Sequence, residues 1–115
     1  MGQQGTSVIN FGAFPGASDA SVAVTGQSGI LAGSLVEAWI YPVATSDHSA
    51  DEHNVETIKI TAGNVVAGTG FTIYAFNTNQ ISENPPGLTG NAPNQTGQGL
   101  GTRIYGAWTV AWCWN

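Results

Sequence analysis

Charge is the scarcest property of this 115-residue sequence. It has 2 basic and 7 acidic residues, a charged fraction of 8% and a net charge of −5, whereas an ordinary soluble domain is about 25% charged. Lys59 and Arg103 are the only cations. Because a nucleic-acid backbone is bound by several Lys and Arg side chains acting together, binding to nucleic acid through a basic face is excluded.

Cysteine and long apolar runs are also scarce. Cys113 is the only cysteine, so the chain has no disulfide framework. No apolar stretch approaches the ~20 residues of a membrane-spanning helix. Residues 1–6 carry neither the positive charge nor the apolar run of a secretory signal. We therefore expect a protein made in the cytoplasm that does not bind a membrane.

The residues that are abundant favour strands. Val, Ile and Thr together number 29, whereas Leu appears 4 times, and β-branched side chains suit a pleated sheet. The 16 glycines divide the chain into short segments, none of which has an apolar stripe of helical length. This pattern predicts an all-β fold, a small β-sandwich or jelly-roll-like barrel of about six to eight short antiparallel strands.

The predicted organisation is one domain with two irregular segments. Residues 1–16 form an N-terminal arm that is flexible over its Gly-rich start at 1–6 and carries a short edge strand at 7–11 (SVINF). Residues 17–115 form a single β domain, and within it residues 77–101 form a long loop with 5 Gly, 5 Asn and 3 Pro. A loop longer than about 15 residues is usually functional or disordered.

Two predicted strands carry most of the expected core. Residues 34–43 have apolar side chains on both faces, which indicates burial against a sheet of the subunit and against a neighbour. Residues 103–114 alternate, and Trp108, Trp112 and Trp114 share one face. We expect these three rings to seal the core and the strand to be central in its sheet.

One short cluster contains residues that could bind a metal. The segment 47–53 holds both histidines and three of the seven acids, and imidazole and carboxylate groups are common metal ligands. His48, Asp51 and His53 are the candidate ligands. Their spacing matches no established metal motif and no third His or Cys is nearby, so the preferred interpretation is a solvated loop between strands. We expect no cofactor.

Catalysis has little support in the sequence. Cys113 lies in an apolar strand, where a free cysteine usually packs as a small apolar side chain, and no nucleophile or phosphate-binding motif is present. We therefore expect a protein that is not an enzyme. Sugar binding remains open: the periodicity turns the tryptophans inward, so Tyr41, Tyr74 and Tyr105 are the better candidates for exposed aromatic contacts.

Several stretches carry a family resemblance: residues 9–16 (INFGAFPG), 34–40 (SLVEAWI), 47–53 (DHSADEH) and 62–74 (AGNVVAGTGFTIY). Together with the closing Trp-rich strand, they resemble small proteins encoded among the structural genes of tailed bacteriophages and prophages. The resemblance implies a virion component. Small β-rich proteins of this sort often serve as capsid decoration, or cement, proteins and are commonly trimeric.

The expected function follows from that resemblance. It is a non-enzymatic decoration protein that binds the major capsid protein on the exterior of the virion, as a homo-oligomer and most simply a trimer. Phe11, Phe14 and Pro15 of the arm are the expected capsid or subunit contacts. The alternative is a tail or fibre component that binds a host surface glycan through the 77–101 loop and exposed tyrosines.

Overall fold

The computed structural model describes residues 2–78 and 103–115, which form six strands and one short helix. In chain order the elements are β1 (Gln3–Asn10), β2 (Asp19–Val24), β3 (Val36–Ile40), α1 (Ala50–Val55), β4 (Ile58–Val66), β5 (Gly70–Asn77) and β6 (Ala107–Trp114). The predicted loop at 77–101 lies outside the described residues except for Asn77 and Thr78.

The strands make two antiparallel three-stranded sheets. The first sheet has the order β1-β6-β3, and the second sheet has the order β2-β5-β4. The prediction of a small all-β, sandwich-like domain is confirmed, and six strands fall within the predicted number. The last strand is central in its sheet, as predicted, because β1 and β3 pair with its two edges. Among the described residues no helix is long and apolar enough to cross a membrane.

The core lies between the two sheets. Trp108, Trp112 and Trp114 are buried, which confirms that these three rings seal the core. The Phe71 ring of β5 meets the Trp112 ring of β6 edge-on, with centroids 5.6 Å apart. This aromatic contact joins the two sheets. The other buried apolar residues of the cluster are Ile9, Phe11, Val24, Ile30, Ile73, Ala75, Ile104 and Val110.

The N-terminal segment is part of the sheet. The prediction of a flexible start is wrong for residues 3–6, whereas the edge strand predicted over residues 7–11 is confirmed for residues 7–10. β1 pairs with β6 over its whole length, from Gln3 opposite Trp114 to Asn10 opposite Ala107. The reason is that ladder hydrogen bonds join backbone groups and do not require apolar side chains. Gly5 also has a packing role, since a Cβ there would lie 2.5 Å from the Trp112 ring.

Other predicted boundaries shift for local reasons. The strand predicted to start at residue 103 starts at Ala107, because Gly106 has a φ of 83° that interrupts an extended chain. Gly63-Asn64 lies at an irregularity inside β4, where the pairing register with β5 shifts and Asn64 has a φ of 53°.

The polar segment predicted as a loop contains α1. Ser49 is its N-cap: the Ser49 hydroxyl accepts from the Glu52 N–H at 3.3 Å, and the Glu52 carboxylate accepts from the Ser49 N–H at 2.6 Å. This reciprocal pair is a capping box, which satisfies two backbone donors at a helix start. The helix is only six residues long, and it returns the chain from the first sheet to β4 in the second.

Candidate functional site

The segment after β3 runs beside the first half of β6 and contacts it through side chains. The Thr45 hydroxyl donates to the Ala107 carbonyl at 2.8 Å, and the Asp47 carboxylate accepts from the Ala107 N–H at 2.8 Å. The Thr109 hydroxyl donates to the Val43 carbonyl at 2.9 Å. Backbone pairing of the β3 segment with β6 does not go past Tyr41, whose N–H donates to the Thr109 carbonyl. These side chains therefore take the place of a missing length of strand beside Ala107 and Thr109.

His53 completes this arrangement from α1. Its side chain is 1% exposed. Its Nδ1–H donates to the Ser49 carbonyl at 2.7 Å, and its Nε2 accepts from the Thr109 N–H at 3.0 Å. Those two bonds require the neutral tautomer with the proton on Nδ1. Nδ1 therefore fixes the ring against the start of its own helix, and Nε2 connects α1 to β6.

His48 is also buried, and it is fixed by stacking as well as by hydrogen bonds. Its ring lies on the Trp108 indole with centroids 3.7 Å apart and planes 16° from parallel. Nε2 donates to the Tyr105 carbonyl at 2.7 Å, while Nδ1 faces the Glu52 carboxylate at 3.5 Å. The pKa of Glu52 is lowered, chiefly by the hydrogen bond from the Ser49 backbone and in addition by His48.

These contacts do not bring the three candidate metal ligands together in one site. The Asp51 side chain is exposed, whereas His48 and His53 bind the chain's own backbone. Within residues 2–78 and 103–115, no three His, Cys, Asp or Glu side chains come together as a metal site. The preferred interpretation, a solvated loop, is wrong in one respect: both imidazoles are buried and connect α1 to the first sheet.

The three expected contact residues have different positions. Phe11 is buried in the core, and its N–H donates to the Gly106 carbonyl at 2.9 Å. Phe14 is 79% exposed and meets the edge of the Tyr105 ring, with centroids 5.6 Å apart. Pro15, which follows it, is exposed as well. We call Phe14 and Tyr105 the aromatic tip, since they lie at the end of the first sheet where β6 begins.

A second exposed surface lies on the solvent side of the first sheet. The pairing register aligns three rows of side chains across β1, β6 and the segment made of β3 and Tyr41, the residue that follows it. We call this set the outer face: Val8, Thr109 and Tyr41; Thr6, Ala111 and Trp39; and Gln4, Cys113 and Glu37. Trp39 is 45% exposed and Tyr41 is 42% exposed.

A shallow groove of about 290 Å³ crosses the outer face. Trp39 and Tyr41 line one side, Gln4 and Thr6 line the other, and Ala111 lies between them. The expectation that one face of residues 34–43 packs within the subunit is confirmed, since Val36, Ala38 and Ile40 pack against the core. Burial of the other face against a neighbour stays a prediction, because Trp39 faces solvent in the single chain. The sequence signal was the pair of aromatics two positions apart, which places both rings on one side of a strand.

The second sheet also exposes aromatic rings. Tyr74 is 40% exposed and lies between Ser21 and Thr61 in the register. Phe76 lies between Asp19 and Lys59, and the Lys59 ammonium is 5.6 Å from the ring centroid. This face carries an ion of each sign beside its aromatic rings, which distinguishes it from the outer face of the first sheet.

The described residues show no paired nucleophile and base. The Cys113 thiol lies on the outer face, with its Sγ 4.0 Å from a Glu37 carboxylate oxygen. His53 binds β6 at Thr109, about 14 Å away along the strand from the rise per residue. A Cys–His pair is therefore not formed.

Comparison of the chain with protein-family models, curated proteins and solved structures finds no match.

Proposed function

We propose that this chain is a non-enzymatic structural protein of a phage virion, which decorates and stabilises the capsid exterior. The proposal is supported by the resemblance of residues 9–16, 34–40, 47–53 and 62–74 to phage structural proteins. It is also supported by the two histidines, whose buried rings bind the chain's own backbone.

One observation supports a specific attachment site for the capsid. Phe14 is 79% exposed, yet its ring is held against Tyr105 and is followed by Pro15. A fixed, exposed aromatic side chain loses little conformational freedom when it enters a pocket of a partner, and such residues dominate binding energy at interfaces. The aromatic tip is therefore the proposed contact with the major capsid protein.

The low charge of the chain fits the same role. Contacts made by aromatic rings, amides and hydroxyls are not weakened by salt as ion pairs are. Large exposed apolar side chains occur on both sheets and at the tip, which supports a homo-oligomer, with a trimer as the proposed state. Attachment should accordingly persist in 1 M NaCl.

The experiment has two stages. Mass spectrometry of gradient-purified virions of the encoding phage should detect the chain, and its absence from them would overturn the proposal. Purified Phe14→Ala protein should then bind capsids at least about tenfold more weakly than the original protein, as expected for an anchor residue.

The matched control is Leu31→Ala, because Leu31 is 69% exposed but lies outside the aromatic tip. This variant should bind capsids normally. Equal binding by Phe14→Ala would remove the tip from the interface. Deleting residues 1–16 is not an informative substitute, since it removes β1 together with the buried Ile9 and Phe11.

The alternative function is that of a tail or fibre component that binds a host surface glycan. The exposed Trp39 and Tyr41 favour it, because aromatic rings stack on the apolar faces of sugars. Labelling of the tail rather than the head by a specific antibody in electron micrographs would support the alternative against capsid decoration.

A further inference from the structure

We infer that the outer face of the first sheet is a binding site for a neutral glycan chain, with Trp39 and Tyr41 as its stacking platform. The inference shares a ligand class with the alternative function but holds for a head or a tail position. It concerns a different surface from the aromatic tip.

The platform is built by the strand geometry. Trp39 and Tyr41 are two positions apart, so both rings lie on the same side of β3 and its extension, about 7 Å apart along the strand. The Tyr41 N–H donates to the Thr109 carbonyl at 3.0 Å, so the ladder with β6 continues through Tyr41. The two half-exposed rings therefore have a fixed spacing along one edge of the groove.

The opposite edge of the groove supplies hydrogen-bonding groups. Gln4 carries an amide and Thr6 a hydroxyl, and both side chains project from β1 across the small side chain of Ala111. A sugar ring has an apolar C–H face and hydroxyls around its rim. It can therefore stack on Trp39 while its hydroxyls bond to amide and hydroxyl groups at the far edge.

The charge of the outer face favours a neutral ligand over an acidic one. Glu37 is the only charged member of the outer face, and it lies in the same register row as Gln4 and Cys113. A carboxylate accepts hydrogen bonds from sugar hydroxyls, but it repels an acidic sugar. No cation of the outer face offsets that repulsion.

The size of the face favours a glycan over a protein. Three strands about 4.8 Å apart and five residues of about 3.4 Å rise give a patch of about 240 Å². A stable protein interface needs about 800 Å² on each partner. The groove has a volume of about 290 Å³, which suits a small ligand such as one or two sugar units.

The test is calorimetric titration of the full chain with neutral hexasaccharides of glucose, mannose, galactose and N-acetylglucosamine. A hexasaccharide of galacturonic acid is the acidic counterpart of the galactose probe. We expect saturable binding of at least one neutral probe, and weaker binding of the acid than of its neutral counterpart. Failure of every neutral probe to bind up to about 10 mM, a free energy weaker than about −3 kcal/mol, overturns the inference.

Variants locate the site. Tyr41→Ala and Trp39→Ala should each weaken binding at least tenfold. The matched control is Tyr74→Ala, because Tyr74 is 40% exposed against 42% for Tyr41 but lies on the other sheet; its binding should change less than twofold. Unchanged binding by Tyr41→Ala, or equal loss by Tyr74→Ala, refutes the site.

If Tyr41→Ala alters the oligomeric state and leaves sugar binding intact, the face is a contact between copies, which also overturns the inference.

These outcomes are separable from the proposed function, since isolated protein is titrated without capsids. Loss of glycan binding leaves capsid attachment through Phe14 intact, and Phe14→Ala should bind the neutral probe normally. Binding of a neutral sugar should also change less than twofold between about 0.05 and 1 M NaCl, because no ion pair is formed.

Discussion

Replacing His53 with Ala should destabilise the protein strongly, because this one ring connects α1 to β6. The substitution removes hydrogen bonds of 2.7 Å to the Ser49 carbonyl and 3.0 Å from the Thr109 N–H. Losing the bond to the Ser49 carbonyl costs about 1 kcal/mol net, and leaving the buried Thr109 N–H unpaired costs ~1–3 kcal/mol.

The loss of packing adds to that cost. The His53 ring meets the Trp108 indole edge-on, with centroids 5.0 Å apart, and Ala would leave a cavity beside it. The total loss in the free energy of unfolding is about 3–5 kcal/mol, a large part of the 5–15 kcal/mol typical of a domain. Urea unfolding followed by tryptophan fluorescence measures it.

Two further variants separate the causes. His53→Phe fills much of the space but makes neither hydrogen bond, so it should still lose about 2 kcal/mol or more. Asp51→Ala changes an exposed side chain on the same helix and should stay within about 0.5 kcal/mol of the original protein. If His53→Ala lost less than about 1 kcal/mol, the reasoning that side chains replace a length of strand here would be refuted.

Two other predictions follow from local geometry. Gly106→Ala should lose about 2–3 kcal/mol in urea unfolding. Gly106 has a φ of 83°, and a Cβ there would lie 2.8 Å from Asp47. Gly33→Ala, with nothing within 4 Å, is the control and should be neutral, and equal stability of the two variants would contradict the argument. Stability should also fall as the pH drops from 4.5 through the lowered pKa of Glu52, because protonation weakens the capping box. Urea midpoints measured over a pH series test this. Glu52→Gln retains an acceptor for the Ser49 N–H but does not titrate, so it should lack the acid-dependent loss. The same loss in Glu52→Gln as in the original protein would contradict the role of the Glu52 carboxylate.

The parts of the fold that sequence could predict are those with strong side-chain periodicity. The alternation around Trp108, Trp112 and Trp114 identifies both the strand and its buried face, because a strand has a period of two. The first half of β1 lacks that signal: Gln and Gly at residues 3–5 have weak strand preference, and their position depends on backbone pairing with a segment at the other end of the chain.

The cluster at 47–53 shows a different limit. The Ser49-x-x-Glu52 spacing is a helix-start signal that was available in the sequence. The partner of His53 was not, since Thr109 is distant along the chain and its backbone N–H carries no residue-specific pattern. For Trp39, the alternation indicates two apolar sides but does not tell whether the second side meets solvent or another molecule.

The pairing of β1 with β6 has a consequence for how the chain folds. Gln3 lies opposite Trp114, so the first sheet closes only after nearly the whole sequence is available to form it. The second sheet contains the short β4–β5 connection, which can form early because the entropy of closing a short loop is small. Contacts between distant segments slow folding. The tryptophans of β6 therefore remain without their partners until a late step, and fluorescence of these rings would report the closure of the first sheet.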